Sequence, residues 1–439
     1  MRQAALLILA FSGLAGQFAP TTGEITVLGI RVSFSEDTQE STTGDGRFLQ
    51  AITGERCGEY LLDPPPHNRT YFQAQLKAVD SYLGSVSRGR LGIDLDSSRI
   101  YPKEENRDYS LGSPMSYFHP YGDEELQDRH LAELYHTALE IAYETDSLEF
   151  ELFDVIAVFH AGIGQDFSLP FLDPTPEDIP SAYVDVAFLQ EQLDDVRFPF
   201  PGMVLPETQN HLLYDVADDI FAGVEEPCDY QFGLTGTFAL MMGFAIGLPP
   251  LWETESGEPG VGVFALMDQG SNNGRGIIPA PPDPWTRMYA GWESAIPLSP
   301  PVRAVISARD SVPDAIVKIP INPTEYFLIE NRNNWIAPGV DIDSLRWQNR
   351  DESGLAGYIE TMLDAVDLVR DPETGVITSV PNYDIGLPGS GLLFWHIDET
   401  AIREGLHTYS VNGDRERRGI DLEEADGAQD IGYPAPFLF

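Results

Sequence analysis

Gly233 to Trp252 reads Gly-Leu-Thr-Gly-Thr-Phe-Ala-Leu-Met-Met-Gly-Phe-Ala-Ile-Gly-Leu-Pro-Pro-Leu-Trp, and it decides how the rest of the chain is read. Gly and Thr at its start suit a helix N-terminus. From Phe238 to Ile246 the stretch is apolar on every face, which predicts a helix buried on all sides. Gly247 can end that helix and Pro249 cannot continue it. A bilayer span needs roughly 20 apolar residues, so this run is too short for one.

Upstream, the pattern is that of an α/β half. Thr26–Phe34 predicts a core strand, and Asn68 or Thr70 caps a helix with Phe72, Leu76, Val79 and Leu83 at helical spacing. Leu91–Leu95 reads as a short strand. Asp123 opens a longer helix whose apolar face includes Leu131, Leu134, Tyr135, Ala138 and Ala142. Phe153–Phe159 is a strongly apolar strand that delivers His160. Tyr183–Leu189 reads as a strand and His211–Ala222 as an amphipathic helix. Downstream, Gly260–Asp268 reads as a strand or extended run into a turn and Pro284–Trp292 as a short helix. After about residue 300 the segments Val302–Ser307, Ala315–Ile319, Glu325–Glu330 and Leu392–His396 are short and strand-like, separated by turns.

The 439 residues carry 70 acidic against 26 basic side chains, a net charge of -44. Clustered positive charge is what nucleic acids and anionic membranes require, so neither is an expected partner. Most of the acids read as a solvated surface. Residues 1 to 22 have the form of a secretory signal peptide. Arg2 is the short positive region, Ala4–Ala15 the apolar core, and Gln17-Phe18-Ala19 a small-residue cleavage zone. No later stretch is long enough to span a membrane, and the mature protein is expected outside the cell. Cys57 and Cys228 are the two cysteines, able to pair in an oxidising compartment if their separation permits.

Several blocks occur in one order: Ser85–Leu91, Val158–Gly162, the Gly-Leu-Pro helix end at Gly247, Phe264–Met267, Trp285–Trp292, and Gly391–Asp398. Together they resemble the secreted metallopeptidases of the immune inhibitor A type, peptidase family M-six, over residues 24 to 430. The resemblance implies an α/β (α+β) zincin-like domain over 24–298, with a β-rich region over 299–439. It also implies a Met-containing turn beneath the active-site helix, matched by Met267, and a cleft flanked by His160 and His396. Counting back from Gly247, the histidines of the family's His-Glu-x-x-His motif fall at Leu240 and Phe244, and its glutamate at Met241. Zinc hydrolysis needs two imidazoles one turn apart, a general base and a third ligand. Leu240 and Phe244 cannot ligate and Met241 cannot accept a proton, so no zinc is expected.

Other ligand sets are sparse. On a helix, His211, Asp215 and Asp218 would share a face and could hold a metal; the alternative is a solvated acidic face with a lone histidine. Asp341 and Asp343, with Asp421, Glu423 and Asp426, offer oxygen ligands for calcium without the EF-hand spacing. Gly270-Ser271-Asn272-Asn273-Gly274 reads as a flexible polar loop near the cleft that could hold ligand, with a turn as its better reading. No nucleophile elbow or phosphate loop is present. The expectation is a pseudopeptidase that binds protein or peptide ligands or serves as a structural module. The alternative is an active metalloendopeptidase with non-standard ligands.

Overall fold

The computed structural model describes residues 18–36, 38–52, 60–166, 174–213, 228–299, 301–309, 311, 315–351 and 354–432, with 211–213 and 228–230 described by backbone alone. Asp215, Asp218 and Cys57 lie outside the described residues, as does the first part of the expected signal peptide.

The first half runs β1 (Gly23–Ile25), β2 (Val27–Ser33), α1 (Arg69–Val86), β3 (Leu91–Ile93), β4 (Arg99–Tyr101), β5 (Tyr109–Ser110), α2 (Met115–Phe118), α3 (Glu124–Asp146), β6 (Val155–Ile163), β7 (Ala182–Val184), α4 (Val186–Gln192) and β8 (Gly202–Thr208). Its main sheet has the order β4-β2-β6-β8-β7, with β5 also on β2. β4, β2, β6 and β8 are parallel, and β7 closes the edge antiparallel to β8. Every residue of β2 and β6 is buried, as central parallel strands covered on both faces require. Asn68 and Asp123 cap α1 and α3, accepting from the N–H groups of Tyr71 and Leu126.

A short hairpin, β9 (His211–Leu213) with β10 (Cys228–Tyr230), leads to α5 (Leu234–Ala245) and, after an irregular loop, to α6 (Pro284–Tyr289). The second half contains β11 (Ala295–Pro297), β12 (Ile316–Pro320), β13 (Glu325–Arg332), α7 (Ile342–Gln348), α8 (Tyr358–Ala365), β14 (Val369–Arg370), β15 (Ile377–Ser379), β16 (Gly391–Asp398), α9 (Glu399–Gly405) and β17 (Ile420–Leu422). β11-β12-β13-β16-β17 form a five-stranded sheet. In β16, Trp395 and Ile397 face inward while Phe394 is exposed. The chain is therefore mixed α/β with a β-rich C-terminal half. Among the described residues no helix is long and apolar enough to cross a membrane.

A buried ionic network joins the halves. Arg287 of α6 reaches Glu330 of β13 at 2.7 Å and Glu293 at 3.3 Å. Arg332 of β13 reaches Glu330 at 3.1 Å and Asp384 at 2.7 Å. Each of these side chains is almost wholly enclosed, so each charge depends on its partners to offset its desolvation. Burial alone would raise Glu330, but Arg287 and Arg332 hold its carboxyl down to about 2.

Four local expectations are corrected. Tyr183–Leu189 is not one strand: Asp185 accepts from Phe188 N–H at 2.8 Å and starts α4. His211 begins no helix, because its backbone pairs with Tyr230 in the hairpin. The helical face shared by His211, Asp215 and Asp218 therefore fails at its first member. Gly260–Asp268 belongs to no sheet and holds a 3-10 turn at Gly262–Phe264. Val302–Ser307 forms no strand, and Val305 is 93% exposed.

Candidate functional site

All twelve residues of α5 are buried, and neighbouring segments rather than solvent satisfy its N-terminus. Leu234 N–H donates to Asp63 Oδ2 at 2.7 Å, while Gly233 and Gly236 donate to the carbonyls of Arg275 and Gly276 at 2.7 Å each. A Cβ at Gly236 would stand 2.0 Å from the Ser271 carbonyl, so glycine is what lets the loop lie on the helix. At the other end Leu248 N–H bonds the Gly243 carbonyl at 2.9 Å, and Gly247 takes a positive φ of 81°. Residues before β1 pack here too: Ala19 N–H donates to the Ala245 carbonyl at 2.8 Å, and Trp292 Nε1 donates to the Thr21 carbonyl at 2.6 Å.

Met267 lies against this helix. A Cβ at Gly243 would come within 2.4 Å of its sulfur, and its carbonyl accepts from Leu251 N–H at 2.8 Å. The next residue, Asp268, fixes the turn. Its Oδ2 accepts from the N–H groups of Gly260, Val261 and Gly262 at 2.7 to 2.9 Å, and its Oδ1 from Gln269 N–H at 2.8 Å. Burial nevertheless pushes its carboxyl up to about 6. Gly270–Gly274 follows the turn reading. Gln269–Asn272 is a 3-10 turn, and Ser271 and Asn273 are buried.

The positions where the resemblance would place metal ligands and a general base are packed. Leu240 is 7% exposed, Met241 0% and Phe244 1%. The Phe244 ring lies 6.2 Å from Tyr183 of β7, 5.9 Å from Trp252 and 6.2 Å from Tyr409, centroid to centroid. Four rings from the edge strand, the helix, the segment after it and the C-terminal half fill one volume. Burial raises the hydroxyls of Tyr183 and Tyr409, so both stay neutral. This arrangement does not fit a zinc ion: apolar carbon and neutral phenols stand where imidazoles and a carboxylate would be needed.

The other candidates are dispersed. His160, on the central strand β6, is wholly buried; its Nδ1 lies 2.9 Å from the Ala161 carbonyl, and burial lowers it to about 4, so it is neutral. His396 is in the second sheet, 3.5 Å from Glu325 and beside Phe327. The two histidines share no hydrogen-bond or ring partner. Asp341 caps α7 through Ser344 N–H at 2.7 Å, and Asp343 pairs with Arg346 at 2.7 Å. Asp421 bonds Arg418 at 2.9 Å, and Asp426 accepts from Ala428 N–H at 3.0 Å. Among the described residues no three His, Cys, Asp or Glu side chains converge as a metal site.

One buried polar cluster escaped sequence reasoning. His67 Nδ1 lies 2.7 Å from Glu207 Oε2 and its Nε2 lies 3.0 Å from the Asp63 carbonyl, with the ring stacked on Tyr71 at 4.2 Å. Glu207 also accepts from Leu49 and Gly162 N–H at 2.7 Å. The cluster holds Asp63 at the start of α5. No motif joins these residues in sequence, so only the fold brings them together. Comparison of the chain with the models of known protein families finds no match, and comparison with curated proteins finds none either.

Proposed function

We propose that this chain is a secreted pseudopeptidase of the immune inhibitor A type, a peptidase-like body that acts by binding rather than by hydrolysis. The observation that carries this reading is the environment of Phe244. A catalytic zinc site needs an open coordination position for water. Phe244 is 1% exposed, and three further rings close around it. Two of the blocks of sequence that resemble the family support this reading: the buried helix with its Gly-Leu-Pro end, and Met267 against Gly243. Loss of the metal then leaves a rigid scaffold whose useful surface lies elsewhere.

The test is elemental analysis of the purified chain together with a casein-cleavage assay with and without a chelator. Sub-stoichiometric zinc and no chelator-sensitive cleavage are expected. Stoichiometric zinc with cleavage that a chelator abolishes would overturn the reading and favour an active endopeptidase.

A further inference from the structure

The carboxyl end of α5 is completed by residues that precede β1. Met242, Gly243, Phe244 and Ala245 carry the last four carbonyls of the helix, which need donors from beyond it. Ile246 N–H reaches Met242 at 3.1 Å, Leu248 N–H reaches Gly243 at 2.9 Å and Gly247 N–H reaches Phe244 at 2.9 Å. The Ala245 carbonyl is left over. Its helical donor would be residue 249, and Pro249 has no N–H. Ala19 N–H takes that place at 2.8 Å.

The bond is one of a series. The Phe18 ring lies against Gly247, where a Cβ would stand 3.0 Å from its Cγ. Ala19 packs on the core. Thr21 offers its carbonyl to Trp292 Nε1 at 2.6 Å, and Gly23 N–H donates to the Arg90 carbonyl at 2.7 Å where β1 begins. Phe18–Gly23 thus strap α5 to Trp292 and to the β1–β3 pair. Without Ala19 the Ala245 carbonyl, on a residue 5% exposed, would lose its donor.

The strap bears on where a leader ends. Leader cleavage wants small residues at the first and third positions before the bond. Gln17-Phe18-Ala19 has a small residue only at the nearer one. A cut there would fall on the Ala19–Pro20 bond, whose nitrogen carries no N–H and whose φ is fixed. It would also remove Phe18 and Ala19 from the strap. Ala10-Phe11-Ser12 has small residues at both positions, but it would give a leader shorter than the usual length of about 15–30 residues. Gly13-Leu14-Ala15 meets both conditions and follows directly on the apolar run.

We propose that a leader peptidase cuts this chain between Ala15 and Gly16, and that Phe18–Thr22 stay in the mature protein as the strap on α5. The hydrolysis consumes one water. The amide C–N bond breaks, Ala15 keeps the new carboxylate and Gly16 the new α-amine. The assignment rests on the secreted reading above and sets the mature start ahead of the zone at Gln17-Phe18-Ala19.

Expression of the full chain in an export-competent cell, with intact mass and N-terminal sequencing of the exported protein, tests this. Gly16 is expected as the first residue. Ala15→Phe should abolish that product, because it places a bulky ring beside the bond to be cut. Ala19→Phe should leave the first residue unchanged. Neither readout requires the variant to fold. Any other first residue after Met1, or processing that Ala19→Phe blocks and Ala15→Phe does not, would overturn the assignment and leave the secreted reading standing. A chain that keeps Met1 would overturn both. A chain made to begin at Pro20 should unfold at lower urea than one that begins at Gly16, and equal midpoints would refute the strap.

Discussion

Replacing Phe244 by alanine tests whether position 244 is core or cleft. The side chain is 1% exposed, so truncation removes nearly all of a buried phenyl ring. Transfer alone accounts for about 1.5–3 kcal/mol. The ring also meets Tyr183, Trp252 and Tyr409 at centroid distances of 5.9 to 6.2 Å, contacts worth up to about 0.5–1.5 kcal/mol each where geometry is good. These contributions overlap, and measured Phe→Ala changes in cores are about 3–5 kcal/mol once the residual cavity is included. The loss should fall in that range, because the three surrounding rings are large, anchored in three different segments and unable to collapse fully. Urea unfolding followed by far-ultraviolet circular dichroism measures it, as a lowered midpoint with an unchanged slope. A loss below about 1 kcal/mol at constant slope would refute the packing reasoning, since a ring lining an open cleft loses little when truncated. A Tyr409→Ala variant and the double variant complete the cycle. A coupling of about 0.5–1.5 kcal/mol is expected between the two rings.

Arg287→Met should cost about 3–5 kcal/mol in the same assay, because Glu330 and Glu293 would lose a fully buried partner; a cost under about 1 kcal/mol would show that the network does not depend on it. Stability should rise as pH falls from 7 toward 5. Asp128, Asp185 and Asp268 are each pushed up to about 6, chiefly by burial, so the folded state takes up protons before the unfolded chain does near 3.8. The trend should reverse below about 4.5. Glu330 is held near 2 in the folded state, so its contribution is present above its ordinary value of 4.5 and is lost as pH falls toward 2. A melting temperature that falls monotonically from pH 7 to 5 would contradict this assignment. Raising salt from about 0.1 M to about 1 M shortens the Debye length from about 10 Å to about 3 Å, and with a net charge of -44 it should raise the melting temperature; a flat response would mean that self-repulsion is already neutralised.

The central helix was legible because its signal is local. An apolar run with no polar face has one comfortable place in water, and Gly247 and Pro249 mark its end. α1 and α3 were legible for the related reason that Asn68 and Asp123 are caps followed by apolar residues at helical spacing. The errors arose where one residue type serves two purposes. Asp185 interrupts what looks like an apolar strand by capping α4. Asp341 likewise caps α7, a helix in a region read as β-rich. The β-branched run Val302–Ser307 has strand propensity but does not pair as a strand. Nothing local announces the partners of Phe244. Tyr183 and Tyr409 lie far from it in sequence, on opposite sides, and only the closure of the C-terminal half onto the edge strand makes them neighbours.

On the reading proposed above, that closure stands where a metal centre would be. A zinc ion ties a helix to a downstream ligand through a few directional bonds, and it leaves one position open for chemistry. The rings around Phe244 tie the same helix to β7, to Trp252 and to Tyr409 through many weak contacts, and they leave no position open. The two solutions can be comparable in stability, yet they are opposites in function. Dispersion contacts rigidify a helix without supplying a polarising charge. Among the described residues His160 is neutral and no three His, Cys, Asp or Glu side chains converge.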